Sequence, residues 1–231
     1  MELKLFSGGA AQAVVTGLQP AFETLHGCTL SPTFGAVGAM RDKLLAGELC
    51  DLLVLSAALI EQLARQGHVV ADSARDLGPV ATGVAVPDGT APVDVCTSEA
   101  LERTLSAARA LYVPDLARSS AGIHIAGMLK TLGLTASLAG RIREFPNGAA
   151  AMREMAADGG EGLVGCTQVT EILYTPGVRL VGELPAAHAL RTVYTAAVCT
   201  RAESPAQAAT LVDLLSGGAS LALRRESGFA I

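Results

Sequence analysis

Residues 116–124, Leu-Ala-Arg-Ser-Ser-Ala-Gly-Ile-His, bring an arginine, two hydroxyls and a histidine to the point where an apolar run ends and a helical pattern begins. The run 108–113 and Pro114-Asp115 precede them, and Ile123, Ala126, Leu129 and Leu132 recur at helical spacing. A strand that turns into a helix leaves its first N–H groups without intrahelical partners, with the positive end of the helix dipole behind them. Such a turn suits an anion. Arg118 adds a planar guanidinium that pairs with two oxygens at once, and Ser119 and Ser120 add further donors. Local N-capping by serine is the alternative reading.

Two more segments share this design. Leu3-Lys4-Leu5-Phe6 reads as a strand, and Ser7, Gly8, Gly9 and Ala10 lead into a helix with Val14, Val15, Leu18 and Phe22 on its apolar face. Gly35, Ala36 and Val37, within Thr-Phe-Gly-Ala-Val-Gly-Ala-Met (33–40), open a helix that runs to Ala46. Neither is a Gly-x-Gly-x-x-Gly fingerprint or a Walker lysine motif, so no nucleotide cofactor is expected. Three glycine- or serine-lined helix starts point instead to a small anion held mainly by backbone.

Other constellations are weaker. Ser119, His124 and Asp115 can be written as a hydrolytic triad, but Ser119 lacks a Gly-x-Ser-x-Gly elbow. His124, one turn into its helix, is a proton-shuttle candidate beside an anionic substrate, or else a helix-face histidine with one local hydrogen bond. His26, His68 and His188 are read as turn residues. Glu144 and Glu171 are the carboxylates nearest the site loops, with Glu171 expected to face solvent or a neighbouring lobe. Arg41, Asp42 and Lys43 read as a solvated helix face. The five cysteines, Cys28, Cys50, Cys96, Cys166 and Cys199, show no zinc or redox spacing and read as buried free thiols. No metal site is expected.

The elements that must position these residues alternate. Strands are expected at 3–6, 29–33, 52–55, 80–86, 110–113, 162–166, 178–184 and 193–199. Helices are expected at 9–25, 36–47, 57–67, 98–107, 120–133, 148–158, 167–173 and 205–226. That alternation predicts an α/β protein with a largely parallel sheet. The β-branched runs 80–86 and 192–198 bracket about 110 central residues and read as crossings between two lobes, 1–81 with 196–231 and 82–195.

The 231-residue chain is 50% hydrophobic and 17% charged, with a formal net charge of −5. Aromatics make up 3% and tryptophan is absent, which removes base-stacking platforms; the acidic balance and the lack of a basic run argue against nucleic acid. No apolar run reaches 18 residues, so no transmembrane helix is expected. Residues from Leu3 already read as a strand rather than a secretory signal, which leaves a cytoplasmic chain or a periplasmic one whose signal has been removed.

The motifs Leu-Lys-Leu-Phe-Ser-Gly-Gly-Ala (3–10), Phe-Gly-Ala-Val-Gly (34–38), Ala46-Gly47-Glu48 leading to Asp51-Leu52-Leu53-Val54, Ser119-Ser120-Ala121-Gly122-Ile123 and Gly162-Leu163-Val164-Gly165, in that order, resemble the type II periplasmic binding proteins. Within them the chain is most similar to the molybdate/tungstate branch of ABC-transporter solute receptors, and its pattern also resembles the aconitate-isomerase-like subgroup. The resemblance implies two lobes joined by two crossing strands, a ligand in the cleft between them, a monomer, and an ABC permease as partner. It also implies serine hydroxyls where this chain has Ala10 and Val37, a tyrosine where it has Gly165, and a backbone donor near Pro146, which has no N–H. Each missing donor to a buried oxyanion costs about 1–3 kcal/mol. These departures disfavour a compact tetrahedral ion, and the smaller residues imply a roomier cleft. Ser7, Arg118, Ser119, Ser120, His124, Asn147, Thr167 and Gln168 remain as compensating groups, a set better suited to an organic polycarboxylate. The expectation is therefore a non-catalytic receptor for a small anion, with isomerisation of an unsaturated tricarboxylate, using His124 as base, as the alternative.

Overall fold

The structure is a computed structural model that describes residues 2–91 and 93–231. Its contacts divide the chain into two units: one runs up to Val80 and resumes with Thr192–Ile231, and the other is the unbroken segment Ala81–Arg191.

The first unit begins with β1 (Glu2–Gly8), α1 (Gln12–His26), β2 (Thr29–Gly35), α2 (Val37–Leu45), β3 (Leu52–Ser56) and α3 (Ala57–Arg65). The strand β4 (Arg75–Pro87) then carries the chain into the second unit. There follow α4 (Ser98–Ala107), β5 (Ala110–Pro114), α5 (Ser120–Thr131), the single turn α6 (Thr135–Leu138), β6 (Ile142–Phe145) and α7 (Gly148–Asp158). The second unit ends with β7 (Leu163–Gln168), α8 (Val169–Tyr174) and β8 (Val178–Glu183). The chain returns through β9 (Arg191–Val198) and closes with α9 (Pro205–Ser216) and α10 (Leu221–Glu226).

In the first unit β1 lies between β2 and β3, parallel to both, and β9 runs antiparallel against β3. Thr195 of β9 donates to Asp76 of β4 at 2.6 Å. The core is built from Leu3, Leu5, Leu52, Leu53, Val54 and Leu55 of the strands against Val14, Phe22, Leu63, Leu211 and Leu215 of the helices. In the second unit β5 lies between β6 and β7, parallel to both, while β4 runs antiparallel to β7 and β8. Period-two alternation splits its core between the two sheet faces. Leu111 and Val113 pack with Ala121, Ile125 and Leu129 on one side; Ala110 and Tyr112 pack with Met152, Met155 and Ile172 on the other.

The α/β class is as expected, but the sheet is mixed rather than largely parallel, because β4 and β9 enter their neighbours' ladders from the opposite direction. The strand β6 was not anticipated: Ile-Arg-Glu-Phe is an edge strand with no fully buried residue, so it lacks an apolar signature. The helix expected over 205–226 breaks at Gly217 and Gly218 into α9, a 3₁₀ turn at Gly218–Ser220 and α10, bent by 51°. His26 closes α1 and His188 ends the 3₁₀ turn Ala186–His188, so neither is a plain turn residue. Cys28, Cys50, Cys166 and Cys199 are buried thiols, whereas Cys96 is exposed, against the expectation for it. Arg41 pairs with Asp42 and Lys43 with Glu48 on a solvated face, as expected. No single helix among the described residues is long and apolar enough to cross a membrane.

Candidate functional site

Three helix starts stand at the carboxyl ends of parallel strands in each unit, the end at which ligands bind in open α/β sheets. In the first unit the junction residues Gly8, Ala36 and Ser56 share one extended conformation, with φ near −60° and ψ of 146°, 138° and 144°. The register sets Gly8 beside Gly35 and Ser7 beside Val54, so the three starts lie level along the strand ends. None of them is capped by a side chain. Their first N–H groups are thus left as uncommitted donors.

The side chains around these starts do different work from that expected. Ser7 is fully buried and its hydroxyl donates to the Gly8 carbonyl at 2.9 Å, so it is turned onto its own backbone. Ala10, Ala36 and Val37 are buried. A Cβ at Gly8 would stand 2.8 Å from Val37 Cγ1 and 3.0 Å from Tyr194, so this glycine makes room for protein atoms. The extra space expected at Gly165 is also filled, since a Cβ there would lie 2.8 Å from Met152 Sδ.

In the second unit the start of α5 keeps open donors. Asp115 accepts from the N–H groups of Ala117 (2.9 Å) and Arg118 (2.8 Å), and its other oxygen takes Arg118 Nε at 2.8 Å. Burial pushes the Asp115 carboxyl up, but these donors and the guanidinium charge outweigh it and hold the pKa below the usual value. Among the described residues the two Nη groups of Arg118 make no hydrogen bond, and its side chain is 57% exposed. Ser119 caps the helix weakly, accepting from Gly122 N–H at 3.4 Å, which leaves the N–H groups of Ser120 and Ala121.

The other two starts of this unit are already occupied. Glu171, expected at the surface, is 4% exposed. Its carboxylate accepts from Gly148 N–H at 3.0 Å and from the Thr167 hydroxyl at 2.6 Å, and the N–H groups of Ala149 and Gln168 also donate to it. Burial raises its pKa as the largest influence, and the four donors act in the opposite sense. Asn147 caps α7 by accepting from Ala150 N–H at 2.8 Å. The protein's own carboxylate therefore fills the anion position that Thr167, Gln168 and the α7 start were expected to offer a ligand.

His124 Nε2 lies 2.7 Å from the carbonyl of His188, whose own Nε2 is 3.0 Å from Ser98 Oγ. A carbonyl only accepts, so Nε2 of His124 carries the proton and Nδ1 is the basic nitrogen of the neutral ring. The hydrolytic triad is not assembled: Asp115 is bound to Arg118, and His124 faces His188. Glu144 accepts from Leu116 N–H at 2.9 Å and so positions the loop that leads to Arg118. Among the described residues no cluster of three or more His, Cys, Asp or Glu side chains is placed to hold a metal ion.

Sequence reasoning missed Ser56, although Leu-Leu-Val-Leu-Ser before a helical pattern carries the same signature as the two starts it found. It also missed the role of Glu171, whose spacing of four from Thr167 was the available sign.

The family model for bacterial extracellular solute-binding proteins matches residues 3–230. The chain belongs to that family. Among solved structures, the periplasmic molybdate-binding protein of Azotobacter vinelandii superposes with a TM-score of 0.78 at 16% identity, covering 99% of both chains. The tungstate ABC transporter structure from Geobacter sulfurreducens gives 0.68 at 15% identity, over 97% of this chain and 98% of that one. This solute-binding protein is also 26% identical to an aconitate isomerase from a Pseudomonas species, over 98% of this chain and 86% of the relative. At these identities the structural neighbours establish the type II periplasmic binding protein fold.

Proposed function

We propose that this solute-binding protein takes a small organic polycarboxylate as its ligand, through Arg118 and the α5 start of the second unit. The observation that carries this reading is the division of donors in the second unit. Glu171 consumes those of the α7 and α8 starts, while Arg118 keeps both Nη groups. A tetrahedral oxyanion needs donors packed on all sides, whereas a carboxylate is satisfied by one guanidinium fork and a few N–H groups. Several carboxylates on one carbon skeleton use separate groups of donors. The aconitate isomerase relative supports the same ligand class, because its name implies a tricarboxylate substrate. Family membership supports a role outside the cytoplasm, with delivery of the ligand to an ABC-transporter permease.

The deciding experiment is a thermal-shift panel of molybdate, tungstate, sulfate, phosphate, citrate and both aconitates. A ligand that binds only the folded chain at 100 times its Kd stabilises it by about 2.7 kcal/mol. A shift with citrate or an aconitate supports the reading; a shift with molybdate or tungstate alone sinks it.

A second reading rests on the near full-length likeness to the isomerase and on the His124 tautomer. Here Nδ1 of His124 removes a proton from a carbon next to the double bond of bound aconitate and returns it after the double bond has moved. Incubating the protein with trans-aconitate in D₂O and following proton NMR tests this. The cis isomer appearing with deuterium incorporated establishes catalysis, and a His124→Ala variant with full turnover removes that residue as the base.

A further inference from the structure

Cys50 and Cys199 are far apart in sequence, yet the fold brings them together beyond one end of the β3–β9 ladder. Leu52 pairs with Val198 as the last residues of that ladder, and Cys199 N–H continues it by donating to the Asp51 carbonyl at 2.9 Å. The Cys50 thiol lies 3.0 Å from the Leu52 carbonyl. Both side chains line a cavity of about 110 Å³ together with His68, Thr200 and Arg201. Leu45 and Leu49, which also line it, are 46% and 41% exposed, so reagents in solvent reach its rim. The two thiols thus share one cavity whose rim opens to solvent.

We propose that Cys50 and Cys199 form a dithiol that closes to an intramolecular disulfide by exchange with a small disulfide. The neighbouring Cys50 thiol, burial and the Asp51 charge push the Cys199 thiol up. In the first step Cys50 attacks. It loses its proton to solvent, bonds to one sulfur of the incoming disulfide and expels the other as a thiol. Cys199 then loses its proton, attacks the Cys50 sulfur of the mixed disulfide and expels the second thiol. Two protein thiols are oxidised and one small disulfide is reduced to two thiols. The new bond ties the segment before β3 to the end of β9, the N-terminal and C-terminal parts of the first unit.

The test uses the full chain carrying Cys96→Ser, which removes the exposed thiol, treated with oxidised glutathione. The expected product has lost two hydrogens in intact mass and yields a proteolytic peptide that joins residues 50 and 199. It melts ~5 °C or more above the reduced form. Reduction reverses the change, and Cys50→Ser or Cys199→Ser abolishes it. A stable glutathione adduct on either cysteine without closure overturns the proposal. So does a full count of free thiols after treatment, or a link that involves Cys28 or Cys166.

Discussion

Glu171 occupies the space that any side chain at position 148 would need. Its carboxylate accepts from Gly148 N–H at 3.0 Å, and a Cβ built on Gly148 would overlap both that carboxylate and the Thr167 hydroxyl. The glycine is there for a close approach between the start of α7 and a buried acid on α8, and its backbone needs no left-handed conformation.

Gly148→Ala is therefore expected to destabilise the chain by about 1–3 kcal/mol, as overpacking of a tight site does. Urea unfolding checks this: the midpoint should fall while the slope stays constant. A midpoint equal to that of the parent would mean that Glu171 moves aside at no cost.

The buried acid also sets a pH dependence. Burial holds the Glu171 pKa above its ordinary value of 4.5, so in that range the folded chain binds more protons than the unfolded one. The contribution is complete below the ordinary value and is lost as pH rises through the folded-state pKa. Glu171→Gln lacks this titration. Its stability relative to the parent should rise with pH across that window, by at most about 1.4 kcal/mol per pH unit. Urea midpoints of both proteins at several pH values test the slope, and a constant difference would contradict it.

Arg118→Lys and Arg118→Ala are expected to leave the melting temperature of the ligand-free chain nearly unchanged, because the side chain is mostly in solvent. Binding of a polycarboxylate should weaken by about tenfold or more in both, since an ammonium does not reproduce the two-pronged contact. Titration calorimetry with the ligand identified in the thermal-shift panel measures this. Equal affinity in the Arg118→Ala variant would remove Arg118 from the site.

Burial, followed by the hydrogen bond to Asp158, pushes the Tyr112 phenol up to about 12. The stability it contributes is intact below its ordinary value of 10 and is lost as pH climbs from there towards 12. In an alkaline absorbance titration of the native chain, a late phenolate step should appear, and Tyr112→Phe should reduce its amplitude by one phenol. A titration with no late step would show that the phenol is open to hydroxide.

The sequence carried the elements further than it carried the site. Helices α4 and α7 fall at the expected residues because a Thr and an Asn cap them and apolar positions repeat along them. Strand β6 was hidden because Arg143 and Glu144 face outwards at a sheet edge. The locations of the anion-suited starts were legible as small residues between strand and helix. Which donors the protein keeps for itself was not, because Glu171 lies on a six-residue helix too short to show a periodic face, and its partner Gly148 is 23 residues away. The cavity shared by Cys50 and Cys199 was invisible for the same reason: it depends on strand pairing, which residue spacing does not encode.

The route of the chain through β4 and β9 also orders events at the ribosome. The segment Ala81–Arg191 emerges without interruption, and within it β5 pairs with both β6 and β7. Strand β3, by contrast, is translated long before β9, the neighbour that covers its open edge. At about 5–20 residues per second that edge waits on the order of 10 s, a window in which an unpaired apolar strand is open to wrong partners. The inserted unit is thus positioned to fold first, and the unit that was begun first is completed last.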